Sequence, residues 1–317
     1  MLIKYYQVVD SNGEKQFVNP VTGELLEVRG SVYIETAEQR QQRREYFRKQ
    51  QEAQIEHQRI ESQYVEYGNF IWYFYRINQV NFSNLSESYL VRLIYLASYV
   101  DYQGVLKKNR NTVLRKVDLP KILDISDREA IRFLKKIQQE NIVLIQNMNG
   151  KESICLNRDL FFKGKLSREF LQMIAMSDKD IMRLYIDGIR NVYLRTIPTS
   201  RKKLGYIFKL IPYINKKYNI VCHNPNETER TQIKPMSFGE ICTLIGYNKN
   251  QEKRLLKDLL KIQFTSGGQT YSIIQYLVYS TSSGTQTMTL VNPKIYYAGH
   301  DWEVVAVLAT NEFKITQ

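Results

Sequence analysis

The stretch that decides the fold is DISDREAIRFLKKIQQENIV, residues 124–143. Ser126 stands where a side chain can cap a helix, and Glu129 three residues later completes a capping-box pattern. The apolar residues recur three and four positions apart, as in one buried stripe: Ala130, Phe133, Leu134 and Ile137. The other face is basic. Because a lone basic helix is more often solvated than functional, its meaning depends on the rest of the chain.

The chain carries a second copy of this pattern, SFGEICTLIGYNKNQEKRLLKDLLKIQF, residues 237–264. In both copies a short helix and a tight turn precede the longer helix, with turns at Asp124–Ser126 and at Gly246. The short helices would bury Leu119, Ile122 and Leu123 in one copy and Phe238, Ile241 and Leu244 in the other, and the second long helix would bury Leu256, Leu259 and Leu260. Helix, tight turn and helix is the order of a helix-turn-helix.

The segment after each long helix is repeated as well. Residues 142–157 predict a hairpin with Asn149-Gly150 in its turn, and residues 271–292 predict a longer hairpin around Ser282–Gly284. Both hairpins close on one signature, NRDLFFKG (157–164) and NPKIYYAG (292–299), with Asn, an aliphatic residue, two aromatic residues and Gly at the same spacing. The sequence therefore predicts two winged helices.

The predicted fold class is mainly α with small β-hairpins (α+β). We predict an N-terminal β-hairpin region over 1–35, a polar helix or arm over 36–66, a first winged-helix domain over 67–166, a connecting helix over 167–200 and a second winged-helix domain over 201–317. Within these, YGNFIWYFYRI (67–77) and SDKDIMRLYIDGIRNVYLRTI (177–197) are predicted as helices, the latter starting with the capping pair Ser177 and Asp180.

The balance of 45 Lys and Arg against 32 Asp and Glu gives a net charge of +13, which favours a polyanionic partner. Two runs contain no acidic residue, KKNRNTVLRK (107–116) and RKKLGYIFKL (201–210), and these are expected to contact phosphate. No apolar run approaches the ~18 residues of a membrane span. We expect a protein of the bacterial cytoplasm, associated with the nucleoid or a plasmid.

We expect that the protein is not an enzyme and that it holds neither a cofactor nor a metal ion. The chain has no GxxxxGK[ST] phosphate loop, and its three widely spaced cysteines form no CxxC pair. The three histidines, His57, His223 and His300, exclude a His-x-x-x-His zinc helix and the His-x-x-Arg of a tyrosine recombinase.

Arg and Lys in a major groove can contact guanine, Asn and Gln can read adenine, and contacts to phosphate position the protein. On the first long helix the predicted DNA-binding residues are Ser126, Arg128, Arg132, Lys135 and Gln139. On the second they are Asn250, Lys253, Arg254, Lys257 and Lys261. Wing or backbone contacts are predicted at Asn149, Lys151, Lys107, Lys108, Arg110, Arg115, Lys116, Arg201, Lys202 and Lys203, and a second wing tip at Ser282 and Ser283.

Four motifs give the chain a layout that resembles RepL-type replication initiators of Firmicute plasmids and phages: VTGELLEV (Val21–Val28), YGNFIWYFY (Tyr67–Tyr75), ILDIS…FLKKIQQENIV (122–143) and LNRDLFFKG (156–164). The resemblance covers residues 20–166, whereas the Gln/Arg-rich helix and the second winged helix are additional. It implies binding to a replication origin and recruitment of host machinery rather than catalysis.

The leading hypothesis is a sequence-specific double-stranded DNA-binding protein of a mobile element, acting as a replication initiator through tandem winged helices. The alternatives are a transcriptional regulator with the same binding chemistry, or an architectural protein whose second winged helix docks a protein partner. The expected partners are duplex DNA and host replication or transcription machinery, and no membrane is expected. The chain could also form a homodimer.

Overall fold

The computed structural model describes residues 6–9, 15–18, 22–25, 41–51, 68–76, 84–148, 150–167, 179–281, 284–299, 313 and 315. The chain divides into two compact units, Met1–Gln58 and Arg59–Gln317. Helices and small antiparallel sheets are both present, so the α+β class is confirmed at that level.

The first unit contains the predicted N-terminal hairpin. Strands β1 (Tyr6–Val9) and β2 (Lys15–Val18) pair antiparallel, and Val18 forms a further bridge to Leu25. The loop with Asn12 and Gly13 lies outside the described residues. Helix α1 (41–51) belongs to the predicted polar helix, and all its side chains are exposed.

The second unit contains two successive sets of elements, here termed repeat 1 and repeat 2. Repeat 1 consists of β3 (Phe70–Arg76), α2 (Glu87–Ala97), β4 (Lys107–Asn109), β5 (Thr112–Val113), α3 (Leu119–Leu123), α4 (Asp127–Gln139), β6 (Val143–Met148), β7 (Lys151–Leu156) and β8 (Phe161–Phe162). Repeat 2 consists of β9 (Lys179–Tyr185), α5 (Ile186–Arg195), α6 (Lys202–Lys209), α7 (Phe238–Leu244), α8 (Glu252–Leu260), β10 (Gln263–Ser266), β11 (Gln269–Ser272), β12 (Ile274–Thr281), β13 (Gly284–Val291) and β14 (Tyr296–Tyr297).

Two predicted helices were wrong. Residues 70–76 form strand β3, and the segment predicted to begin a helix at Ser177 forms strand β9 before helix α5 begins at Ile186. Asp180 therefore caps no helix; it lies in β9 and pairs with Lys216. The two strands belong together, because β3 and β9 pair antiparallel along their full length, from Phe70 opposite Tyr185 to Arg76 opposite Lys179.

This pairing joins the repeats in one four-stranded sheet. Its order is β14-β9-β3-β8, so each repeat supplies one central strand and then a short edge strand that returns to it. The edge strands are the aromatic pairs of the repeated signature, Phe161–Phe162 and Tyr296–Tyr297. Buried apolar residues from both repeats form one continuous core.

Identical hydrogen bonds show that the repeated signature makes the same turn twice. The side-chain amide of Asn157 donates to the Asn141 carbonyl, and that of Asn292 donates to the Ser272 carbonyl. Each Asn oxygen also accepts the N–H two residues further on, at 2.9 Å in both cases. The Asn of the signature is thus needed to close each hairpin.

The same correspondence identifies a hairpin that occurs only in repeat 2. The N–H of Asn157 donates to Ile142, and the N–H of Asn292 donates to Ile273, so Ile273 is equivalent to Ile142. Between the end of α8 and Ile273 lies the additional hairpin β10–β11, which turns at Gly267 and Gly268. Sequence reasoning missed this hairpin, although the Gly-Gly pair signals a turn.

Candidate nucleic-acid interface

Repeat 1 contains the predicted short helix, turn and longer helix in that order. Helix α3 ends at Asp124, whose φ of 52° is left-handed, and Ser126 caps α4 by accepting the N–H of Glu129 at 3.3 Å. The second half of the predicted capping box is absent, because the Glu129 carboxylate instead pairs with Arg92 at 2.6 Å. This ion pair attaches the start of α4 to α2.

The predicted basic face of α4 is fully available to solvent. Arg128, Arg132, Lys135 and Gln139 are exposed, as is the capping Ser126. Steps of four, three and four residues keep the first four within about 60° on the helix surface. We term these four residues the α4 face. Its three cations have no carboxylate within 4 Å in the described part of the chain.

The hairpin that follows α4 is joined by a third segment from earlier in the chain. Hairpin β6–β7 pairs from Val143–Leu156 to Met148–Lys151, and the segment before β4 adds to it, because Val105 bridges to Cys155. In repeat 2, hairpin β12–β13 receives the equivalent bridge from Ile220 to Leu290. In each repeat the bridged residue lies two positions before the signature Asn.

The helix pair of repeat 2 matches the prediction with a change at the start of the long helix. Helix α7 carries a full capping box between Ser237 and Glu240, and Gly246 forms the turn with φ of 73°. A short 3-10 turn, Lys249–Gln251, then precedes α8. The predicted residues are all exposed here, and we term them the α8 face: Asn250, Lys253, Arg254, Lys257 and Lys261.

The buried stripes agree with the prediction in repeat 1 and differ in repeat 2. Ala130, Phe133, Leu134 and Ile137 are buried as expected. In α8 the buried residues are Leu255 and Leu259, whereas the predicted Leu260 is 38% exposed. In α7 the predicted Leu244 is 37% exposed, and Cys242 is buried in its place.

The wing tips can be described only in part. The turn of β6–β7 has two residues, and Gly150 adopts a left-handed φ of 74°. Asn149, Ser282 and Ser283 lie outside the described residues, and only the backbone of Lys151 is described, in β7. Their predicted DNA contacts stay predictions.

The basic run 107–116 is largely engaged in ion pairs. Lys107 pairs with Asp101 at 2.8 Å and Lys116 with Glu152 at 3.0 Å. Asp118 receives both Lys108, at 2.6 Å, and Arg115, at 3.9 Å. Burial would raise the pKa of the Asp118 carboxyl, but the Lys108 ammonium and the Arg115 backbone N–H lower it below its usual range. Arg110 is the exposed member of the run for which the described residues offer no carboxylate.

The second basic run separates into three different environments. Arg201 is 8% exposed, donates to the carbonyls of Tyr193 and Thr196, and stacks on the Tyr193 ring at 4.4 Å. This guanidinium links the end of α5 to the start of α6, and its burial argues against the predicted phosphate contact of Arg201. Lys203 pairs with Asp258 at 2.9 Å, whereas Lys202 is exposed.

Sequence reasoning missed two exposed apolar residues beside the α4 face. Ile131 is 68% exposed and Val117 is 73% exposed, and both line a groove of about 560 Å³ between α4 and the start of α3. The signal was present in the sequence, since Ile131 is the one aliphatic residue of α4, Asp127–Gln139, outside its predicted buried stripe.

No protein-family model, curated protein or solved structure matches this chain. Among the described residues, no helix is long and apolar enough to cross a membrane. The same residues contain no group of three or more His, Cys, Asp or Glu side chains arranged to hold a metal ion.

Proposed function

We propose that this chain is a sequence-specific duplex-DNA-binding protein built from two winged helices. Within that class we propose a replication initiator of a plasmid or phage, similar to the RepL type. The observation that carries the proposal is that two equivalent frames each present an exposed cationic helix, the α4 face and the α8 face. By contrast, most cations of the two basic runs, 107–116 and 201–210, are engaged in ion pairs.

The three-stranded arrangement supports the winged-helix assignment of each repeat. In each repeat a helix, a bridging segment, a helix pair and a hairpin occur in that order. The segment pairs with the second strand of the hairpin through one bridge, Val105 to Cys155 or Ile220 to Leu290, and in repeat 2 the hairpin β10–β11 comes before the paired hairpin. Such a frame holds the second helix of the pair outward, where a major groove can admit it.

The charge pattern supports duplex DNA as the ligand. A basic side chain already paired with a carboxylate gains little from a phosphate, whereas an exposed cation releases counterions when it contacts DNA. In the described residues, none of the seven cations of the two faces has a carboxylate within 4 Å: Arg128, Arg132, Lys135, Lys253, Arg254, Lys257 and Lys261.

The test is a salt titration of binding to DNA from the gene's own locus, monitored by fluorescence anisotropy. With about six to eight phosphate contacts, the logarithm of the affinity should fall with the logarithm of the salt concentration with a slope of about −5 to −7. Absence of binding would refute the DNA-binding proposal, and salt-insensitive binding would refute contact of the two cationic faces with phosphate.

Variants separate base reading from phosphate contact. We expect Arg132→Ala and Lys257→Ala to weaken binding to the specific site by about 1–3 kcal/mol, and binding to random DNA by less. Lys165→Ala is the matched control, because Lys165 is exposed and lies on neither face. Equal losses on specific and random DNA would reduce Arg132 and Lys257 to phosphate contacts.

Footprinting on the native locus separates initiation from regulation. Protection within a segment that supports plasmid replication when the protein is supplied in trans supports the initiator. Protection at a promoter, with an effect on transcription and no replication, supports the regulator.

A further inference from the structure

A cavity of about 690 Å³ lies in repeat 1, away from the α4 face. Five parts of the chain meet there: Asn69 before β3, the segment after α2, the β4–β5 hairpin, the segment after β8, and α5 of repeat 2. Its lining includes Lys107, Lys108, Arg110, Lys163 and Arg190, together with Tyr99 and Tyr102.

The charges around this cavity do not balance. Of the described residues that line it, five are cationic and one, Asp101, carries a carboxylate. That carboxylate is engaged locally, because it pairs with Lys107 at 2.8 Å and accepts the N–H groups of Gln103 and Val105 at 2.9 Å. Lys108 pairs with Asp118, which lies outside the lining. Arg110, Lys163 and Arg190 are then the cations of the lining for which the described residues offer no carboxylate within 4 Å.

Arg190 is held in a fixed position at the cavity wall. Its Nε and Nη2 donate to the Ser98 hydroxyl and carbonyl at 3.0 and 2.8 Å, and its guanidinium stacks on the Tyr99 ring at 4.2 Å. A guanidinium fixed on one edge can direct its other donors to a ligand without losing further conformational entropy.

Lys163 lies in the electrostatic field of Arg190. Burial and the nearby Arg190 charge lower the pKa of the Lys163 ammonium, and Asp101 only partly opposes them. The ammonium lies 5.6 Å from the centre of the Tyr102 ring, and Tyr102 is itself 68% exposed. Holding two cations together at a half-buried site costs free energy that a bound anion would offset.

We propose that this cavity is a binding site for a phosphate group, with Lys163 and Arg190 as its ligands. Arginine and lysine together suit a phosphate, which accepts several charge-assisted hydrogen bonds. The exposed Tyr102 ring offers a stacking surface for a base attached to that phosphate. The phosphate comes either from a free nucleotide or pyrophosphate, or from a DNA backbone. In both cases Lys163 and Arg190 would recognise the same anionic phosphate oxygens.

The test is isothermal titration of the full chain with pyrophosphate and, separately, with duplex DNA. It compares the unchanged protein with Lys163→Met and with the matched control Lys165→Met, whose ammonium is exposed two residues away and does not line the cavity. Thermal unfolding checks the fold, and Lys163→Met should be at least as stable as the unchanged protein because it removes a like-charge contact.

We expect Lys163→Met to weaken pyrophosphate binding about tenfold or more, and Lys165→Met to leave it unchanged. If pyrophosphate does not bind but Lys163→Met weakens duplex binding selectively, the phosphate is that of DNA. Equal effects of the two variants, or no effect of Lys163→Met on either ligand, would overturn the site.

The pyrophosphate measurement does not depend on the proposed function. Only the duplex measurement rests on the proposal that the chain binds DNA. A chain that binds pyrophosphate through Lys163 but binds no duplex would refute the DNA-binding proposal and leave the phosphate site standing.

Discussion

Ile131 lies among cations on an exposed helix surface. It comes three residues after Arg128 and four before Lys135, so it shares their side of α4. Its side chain is 68% exposed, which leaves an aliphatic group in water without any contribution to the core. In a major groove, an apolar side chain can pack against the 5-methyl group of thymine. We therefore expect Ile131 to contribute specificity where its neighbours contribute mainly charge.

Deoxyuridine substitution tests this role, because it removes the thymine methyl and leaves the hydrogen-bonding groups unchanged. For the unchanged protein, replacing thymine by deoxyuridine at one position of the binding site should weaken binding by about 0.8 kcal/mol, or about fourfold in affinity. Ile131→Ala should bind both versions of that site equally.

The control is Leu144→Ala, since Leu144 is also an exposed aliphatic residue but lies on β6. This variant should keep the response to deoxyuridine. Ile131 would have no role in reading the methyl group if no position responded, or if Ile131→Ala kept the same response.

At the scale of elements, helices α2 and α6 contact each other through a glycine. A Cβ atom built on Gly205 of α6 would lie 2.3 Å from the carbonyl oxygen of Glu87, which is backbone at the start of α2. The ion pair between Lys209 and Glu87, at 2.5 Å, links the same two helices. Any side chain at position 205 must therefore push the helices apart.

We predict that Gly205→Ala lowers the free energy of unfolding by about 1–3 kcal/mol, as overpacking does, measured by urea denaturation. In a helix without this contact, the same change should raise stability by up to about 1 kcal/mol. The sign of the change in unfolding free energy therefore tests the close approach of the two helices, and a stabilised Gly205→Ala variant would contradict it. Lys202→Ala, exposed on the same helix, should change stability by less than about 0.5 kcal/mol.

The elements that sequence reasoning found and those it missed differ in their periodicity. Helix α4 could be predicted because it is exposed on one face, so its polar and apolar residues alternate with helical spacing. Strand β3 is buried on both faces along most of its length, including Phe70, Ile71 and Phe74, so the period of two is absent. Its short length and aromatic content favoured a strand, and these were the signals to use.

The two candidate sites differ in the same way. The α4 face lies within twelve consecutive residues, 128–139, and its spacing was readable. The phosphate cavity joins residues as distant as Tyr99 and Arg190, and their proximity depends on the packing of α5 against repeat 1. The burial of Arg201 could not be predicted either, since its partners include carbonyl groups that only the packing of α5 and α6 brings near.

At the scale of the molecule, the two repeats are arranged as partners of one another. Their first strands, β3 and β9, are antiparallel neighbours, and α2 and α6, the helices that precede the two helix pairs, pack together. Two equivalent bodies joined by antiparallel strands are related by a local two-fold axis. A single chain therefore carries a two-fold symmetry that other proteins obtain from a dimer, and symmetric DNA-binding proteins recognise inverted half-sites.

We predict that one chain protects two half-sites in inverted orientation, one for each repeat. Arg132→Ala with Lys135→Ala should remove protection from one half-site, and Lys253→Ala with Lys257→Ala from the other. At a protein concentration well above the Kd of a single repeat for its half-site, the intact repeat should still protect that half-site. Linkage raises the affinity for the whole site, but each repeat contacts DNA through its own helix face. Nuclease footprinting measures the protection, and native mass spectrometry counts the chains on each duplex. Loss of the same half-site in both double variants, or two chains on every protected duplex, would contradict the internal two-fold arrangement on DNA.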